Sequence, residues 1–408
     1  FKDVLSLVPT FYTRDFRRLT ASGELSMSAW ARGEMRGAVF PAFEFRTEVR
    51  DGSFQYASLP KAVTDIQIIA SVSNPGSVMD RTVVDLPTFG FSMAGNSVSA
   101  TFHATGLASD PEFSASARGR VDLGTLGEVY PLEKGTKLSG RITADVALSG
   151  RMSDMEKQRY ERLGARGSLV VEELGLTLPS LPEVHVRRAA ASLSPRAMTL
   201  GECGITVGRS DLLANGQLTG YIGYLLRGSL LSGRLYLRSN LLDLNELLSV
   251  VPASEEEPGQ ARPDAAEPQP PVIPANLDLK LETELQQVLL AEMKLEQVSG
   301  AVSLSDGVLS LDRLSMGLFG GKASASGRLA TAAERASTLS LAANVSNASF
   351  SRTFEELEMV RQLVPIFAKT GGDYSLSLDL DTPLDARFSP DLGALNASGE
   401  IRSEHIEL

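Results

Sequence analysis

Short stretches that alternate apolar and polar residues recur along the whole chain, and many of them follow a glycine. Gly23-Glu24-Leu25, Gly119-Arg120-Val121, Gly140-Arg141-Ile142, Gly167-Ser168-Leu169, Gly216-Gln217-Leu218, Gly233-Arg234-Leu235, Gly327-Arg328-Leu329 and Gly399-Glu400-Ile401 share one cadence. A glycine, a polar residue and an aliphatic one, in that order, predict a bend that feeds a strand with a fixed apolar face. A chain built this way folds as a long run of strands more readily than around a single catalytic pocket.

The strongest alternation is Ser375-Leu376-Ser377-Leu378-Asp379-Leu380-Asp381, matched by Asn276-Leu277-Asp278-Leu279-Lys280-Leu281-Glu282. Period two over seven residues is a strand with one dry and one wet face. Near the start, Leu25, Met27, Ala29 and Ala31 fall on one face, with Ser26, Ser28 and Trp30 on the other. Arg50-Asp51-Gly52 and Ser305-Asp306-Gly307 both carry the Asp-Gly pair that favours a tight turn, so a hairpin is predicted at each.

Helical signals are few. Ser153-Asp154-Met155-Glu156 has capping-box spacing and predicts a short helix reaching Leu163. Leu241 to Val250 reads as another, with Asp243 near its start. Phe354, Leu357, Val360, Leu363 and Val364 recur at helical spacing within Phe350 to Lys369, where Pro365 should interrupt the helix. Ser254 to Pro274 holds Glu255-Glu256-Glu257 and six prolines, a composition that builds no packed element and reads as a disordered linker. The expected organisation is therefore 1–253, a linker at 254–274, and 275–408, with the linker looping out of one sheet or separating two domains.

Composition closes off several functions. With 39 basic and 50 acidic residues the net charge is −11, which repels nucleic acid and disfavours a purely electrostatic contact with anionic lipid. Cys203 is the single cysteine, so an intrachain disulfide or a multi-cysteine zinc site is impossible. His103, His185 and His405 are far apart and have no metal-ligand spacing. Phe319-Gly320-Gly321 lacks the Gly-Lys-Ser/Thr ending of a phosphate loop, and Gly208-Arg209-Ser210-Asp211 lacks the second glycine of a nucleophile elbow. Asp379 and Asp381 share the wet face of one strand, which makes them solubilising; an acid–base pair needs a desolvated cleft. The chain is read as a non-enzyme without metal or cofactor. It has neither an apolar run of transmembrane length nor a signal peptide at Phe1, and is expected to be an excised piece of a longer protein.

About twenty-five strands at roughly 4.8 Å spacing would make a ribbon on the order of 120 Å long. Curled about its length, such an antiparallel sheet has an apolar trough and a polar back. A trough holds acyl chains while headgroups stay wet. The candidate lining residues are Leu25, Met27, Leu277, Leu279, Leu281, Leu376, Leu378 and Leu380. A closed β-sandwich, whose apolar faces pack on each other in a structural or interaction scaffold, explains each strand equally well. An envelope hydrolase is a third reading, for which no catalytic site is found.

The turn chemistry resembles the AsmA-like family of Gram-negative envelope proteins, relatives of TamB and of the bridge-like lipid-transfer proteins. The resemblance rests on Val49 to Tyr56 with Leu59-Pro60, Gly119 to Leu123, Leu237-Arg238-Ser239 leading to Leu242-Asp243-Leu244-Asn245, Leu318 to Lys322 through Ala325 to Leu329, and Val360 to Gly372 with Tyr374 to Leu380 and Ala397 to Ile401. It implies a periplasmic protein, held at the inner membrane by an anchor outside this sequence and linked to phospholipid traffic and outer-membrane maintenance. Phospholipid acyl chains would be the cargo and other envelope proteins the partners. It brings no catalytic residues.

Overall fold

The computed structural model describes residues 19–56, 60–130, 132, 135–178, 182–248, 273–332, 335–385, 390, 391 and 393–407. Most of the expected linker, and part of the Leu59-Pro60 motif, lie outside the described residues. The mostly-β, unclosed sheet with a few short helices that alternation predicts is what forms.

Two compact units are distinguished by their internal packing: Phe1–Thr177 with Val186–Gly201, and Leu178–His185 with Glu202–Leu408. The first contains β1 (Leu19–Arg32), β2 (Ala42–Tyr56), β3 (Val63–Pro75), β4 (Val83–Met93), β5 (Asn96–Thr105), β6 (Glu112–Asp122), β7 (Lys137–Arg151) and β8 (Gly164–Thr177). Each of these pairs antiparallel with the next in the chain. Helix α1 (Met152–Glu156) and a 3₁₀ turn, Tyr160–Arg162, connect β7 to β8. They replace the single helix expected from Ser153 to Leu163. The Ser153 amide and hydroxyl both donate to Asp110, 2.9 and 2.7 Å away, so the predicted capping serine is committed to a neighbouring loop.

β9 (Val184–Leu193) and β10 (Met198–Val207) come next in the chain. The second unit then carries β11 (Ser210–Thr219), α2 (Tyr221–Arg227), β12 (Leu231–Ser239), β13 (Leu242–Asp243), α3 (Leu244–Leu248) and β14 (Leu277–Leu290). After these come β15 (Met293–Ser305), β16 (Val308–Leu318), β17 (Gly321–Ala332), β18 (Arg335–Ser349), α4 (Phe350–Glu356), α5 (Glu358–Leu363), β19 (Gly371–Leu384) and β20 (Asn396–Glu407). Strands β14 to β20 form a meander. Against the antiparallel expectation, β12 and β13 run parallel to β14. A parallel neighbour needs a crossover of a dozen residues or more, and the stretch between β12 and β14 supplies it.

Two sequence readings are corrected. Arg50-Asp51-Gly52 is not a hairpin: β2 runs straight through it, with Asp51 at φ +48° and register shifts against both flanking strands. The cause lies across the ladder, where a Cβ on Gly23 would stand 2.6 Å from Gly52 Cα. Two bare glycines facing each other allow a bulge in place of a turn. The glycine cadence likewise marks positions inside strands, not bends leading into them. Ser305-Asp306-Gly307 does turn the chain between β15 and β16, with Asp306 and Gly307 both at positive φ, as a tight hairpin of this kind requires.

The helical segment Phe350 to Lys369 is broken twice. Leu357 is extended between α4 and α5, and Pro365 opens a 3₁₀ turn, Pro365–Lys369, as its missing amide predicts. Helix α3 starts at Leu244 and not at Leu241, with Asp243 in β13 just before it, and the last two residues of the expected helix, 249 and 250, lie outside the described residues. Helix α2 has no periodic signal; left-handed Gly220 and Gly228 bracket it.

Candidate functional site

In the second unit the pairing registers assemble one apolar face across nine strands, β11, β12 and β14 to β20. One row passes Gly216, Leu235, Leu281, Val302 and Leu311, then Gly327, Leu341, Leu380 and Ala397, each directly opposite the next. The row beside it carries Leu279, Leu304, Leu309, Leu329 and Leu339. Leu378 stands opposite Ala343, and Leu376 opposite Val345. Eight inter-strand steps at roughly 4.8 Å carry this face over about 38 Å.

All six candidates from the two best-patterned strands therefore share one face: Leu277, Leu279 and Leu281 on β14, and Leu376, Leu378 and Leu380 on β19. None is fully buried, while the alternating Lys280, Glu282, Ser377, Asp379 and Asp381 are exposed. Leu25 and Met27 lie in the first unit: Leu25 begins a corresponding row there, whereas Met27, two residues along the same face, stands opposite Thr47. That row runs from Leu25 through Val49, Ile68 and Phe89 to Ala100, Ala117 and Val146. Leu25 is half-buried against this unit's core, whereas Met27 is 52% exposed.

Each apolar face is covered at one end by short helical segments that sequence reasoning did not assign to it. In the second unit Phe350 of α4 and Phe367 pack over Tyr374, with ring centroids 4.8 to 6.1 Å apart, above buried Val345, Ala348, Met316 and Val298. The Thr353 and Tyr374 hydroxyls meet at 2.9 Å, and burial pushes the Tyr374 phenol up from its ordinary value. At the opposite ends of the strands Thr382 and Leu384 are buried again, where Asp391 returns to donate its amide to the Pro383 carbonyl. The half-exposed leucines form a window between two sealed ends. In the first unit the 3₁₀ turn Leu123–Glu128 and Val129 seal one end over Val49, Val63 and Ile66.

The other face is polar and its side chains are small. Hollows of about 630 and 560 Å³ in the first unit are lined by Ser99, Thr101, Ser116, Arg118 and Arg166 among others, with Arg118 paired to Asp145 at 2.7 Å. In the second unit Ser303, Ser310, Ser340, Asp379 and Asp381 border one of about 510 Å³. These hollows arise where serine, alanine and glycine stand beside longer side chains, and in the second unit's hollow the Ser340 hydroxyl donates to the Asp381 carboxylate at the open sheet surface. Asp379 and Asp381 lie here, away from the leucine face.

Other chemistry-bearing residues have structural settings. Burial alone raises the Cys203 thiol, which leaves it a poor nucleophile. His103 pairs with Asp85 at 3.2 Å on an exposed strand. Among the described residues no cluster of histidine, cysteine and carboxylates is placed to hold a metal ion, and no helix is long and apolar enough to cross a membrane.

No protein-family model, curated protein or solved structure matches the chain, so the reading of its function rests on these faces.

Proposed function

We propose that the chain is a non-enzymatic lipid-binding module that takes phospholipid acyl chains on its apolar sheet faces. The observation that carries this reading is the leucine face of the second unit, continuous over nine strands yet half-exposed between its sealed ends. A face of that extent left in water is costly, at roughly 25 cal/mol for each Å² of apolar surface that an occupant would cover. An acyl chain lying across the rows needs no polar partner, and a headgroup would remain among the exposed Ser, Asp and Lys side chains at the margins. The resemblance to AsmA-like proteins supports the same reading and extends it to phospholipid transfer in the periplasm of a Gram-negative envelope, from an inner-membrane anchor, in support of the outer membrane.

The test is a photo-crosslinking residue at position 378, compared with one at position 379 on the opposite face, together with native mass spectrometry of the purified chain. Phospholipid adducts at 378 and not at 379, with bound lipid released on denaturation, are the expected result. A lipid-free mass and no adduct at 378 would move the chain to the scaffold reading.

A further inference from the structure

We propose that one end of the first unit, built from loops 33–41 and 76–82, docks onto the headgroup layer of an anionic bilayer. These loops lie at the strand ends opposite the sealed end, and they bring four exposed apolar side chains together, among them Met35, the most exposed large apolar residue described in the unit. Met35 is 65% exposed, Val78 44%, Val39 42% and Met79 38%. A β-bridge joins Val39 to Val78, and the Phe40 amide donates to the Ser77 carbonyl at 3.0 Å, so the two loops form one platform.

The platform is held from beneath. Asn74, almost wholly buried, donates to the Val78 carbonyl at 3.1 Å and to the Thr82 hydroxyl at 2.9 Å. Its carbonyl oxygen accepts from the Gly76 and Ser77 amides at 3.0 and 2.9 Å. A side chain with four hydrogen bonds fixes loop 76–82 with Val78 facing solvent and Met79 partly exposed, its sulfur turned back to accept from the buried Thr82 hydroxyl at 3.4 Å. Apolar tips on so firm a support are not the result of local disorder.

Charge selects the partner. The two loops and the residue before them carry Arg32, Arg36 and Arg81 against Glu34 and Asp80, a local excess of cation in a chain of net charge −11. Asp80 is turned inward, accepting from the Ala108 and Ser109 amides at 2.9 and 2.8 Å. Glu34 is engaged by Arg36 at 2.7 Å. Apolar tips flanked by arginines match a headgroup layer, which offers phosphate oxygens beside the acyl boundary. The contact is independent of whether the leucine face carries cargo.

The test uses the full chain and sedimentation with vesicles of phosphatidylethanolamine and phosphatidylglycerol, against vesicles of phosphatidylcholine alone. Binding is expected to the anionic vesicles and to weaken as salt is raised. Met35→Ser, Val78→Ser and Met79→Ser together should lower it about tenfold or more, and Arg36→Gln with Arg81→Gln should remove its salt dependence. All five positions are exposed, and circular dichroism should show both variants folded. A tryptophan placed by Val78→Trp in a Trp30→Phe background should be quenched by brominated acyl chains. Leu378→Asp should leave vesicle binding intact, which separates this contact from cargo binding. The proposal fails if the unaltered chain does not bind, if binding survives both sets of substitutions, or if Leu378→Asp abolishes it. Self-association lost in the serine variant, without vesicle binding, would instead assign the platform to a protein interface.

Discussion

Leu378 and Gly399 face each other across β19 and β20, and Cδ1 of the leucine lies 3.6 Å from where a Cβ on the glycine would stand. The leucine thus shelters bare backbone on its neighbour while the rest of its side chain remains half-exposed. Leu378→Asp should therefore put a carboxylate where water can still reach it. The expected loss is about 1–2 kcal/mol in urea unfolding, together with loss of bound lipid. Val345→Asp, two positions along the same face but beneath the aromatic cover, should by contrast cost several kcal/mol and unfold the second unit. Equal losses at the two positions would show that the window around Leu378 is closed.

Gly167 tests the mid-strand glycines. It sits at φ +135° opposite Val146, and a Cβ there would approach the Asp145 carbonyl oxygen to 2.0 Å. Gly167→Ala must therefore part β7 from β8 and should cost more than about 2 kcal/mol. Gly95→Ala is the control. That residue also has a positive φ, +87°, but no atom lies within 4 Å of its would-be Cβ. Its cost should be confined to the backbone term, about 1 kcal/mol. Chemical denaturation of the two variants separates steric contact from backbone preference.

How far the sequence carries the structure follows from these same residues. Leu376, Leu378 and Leu380 alternate with polar residues, so their strand and shared face are visible without coordinates, and so is their counterpart in Leu277, Leu279 and Leu281. That β14 and β19 direct these leucines to the same side depends on the registers of every intervening strand, and no local pattern encodes it. Asp51-Gly52 misleads because a dipeptide able to turn is equally able to bulge, and only the partner strand, with Gly23 in place, decides between them. The covering aromatics were legible as a helical segment containing Phe350, but not as a seal, because Phe367 and Tyr374 join it from outside α4. The parallel approach of β12 to β14 was hidden for another reason: strand patterning is the same in either direction.

Acid should weaken the fold through carboxylates that are bonded in the native state. The hydrogen bond from Arg209 holds Asp243 below the usual carboxylate range, assisted by the Glu246 and Asn245 amides at the start of α3. Asp110 is lowered chiefly by the Ser153 amide, and Asp80 by the Ser109 amide. For a group whose native pKa is depressed, the stabilisation is complete above the unfolded value, near 4 for aspartate, and is lost as pH falls through the native value. Melting temperature should therefore change little with these groups from neutrality down to about pH 4 and fall below it. Asp243→Asn should lower stability at neutral pH and flatten the acid slope. An unchanged slope would remove Asp243 from the acid response.

Glu356 should act in the opposite direction. It ends α4 beside the aromatic cover, and its Oε2 is buried without a hydrogen-bond partner. Burial, reinforced by nearby Glu296 and Glu355 and opposed by Arg352 and Lys294, raises its pKa above the ordinary glutamate value. A raised native pKa means the protonated form is the one the fold prefers. The associated stability is present below the unfolded value, about 4.3, and is lost as pH rises through the native value. At neutral pH the ionised carboxylate is thus a net cost, unlike Asp243, whose charge is supported. Glu356→Gln retains the shape and removes the charge, so the variant should melt higher than the parent at pH 7, with the gap closing as pH is lowered. A melting temperature that drops in the variant at pH 7 would mean that Arg352 and Lys294 outweigh burial, and that Glu356 helps to hold the cover in place.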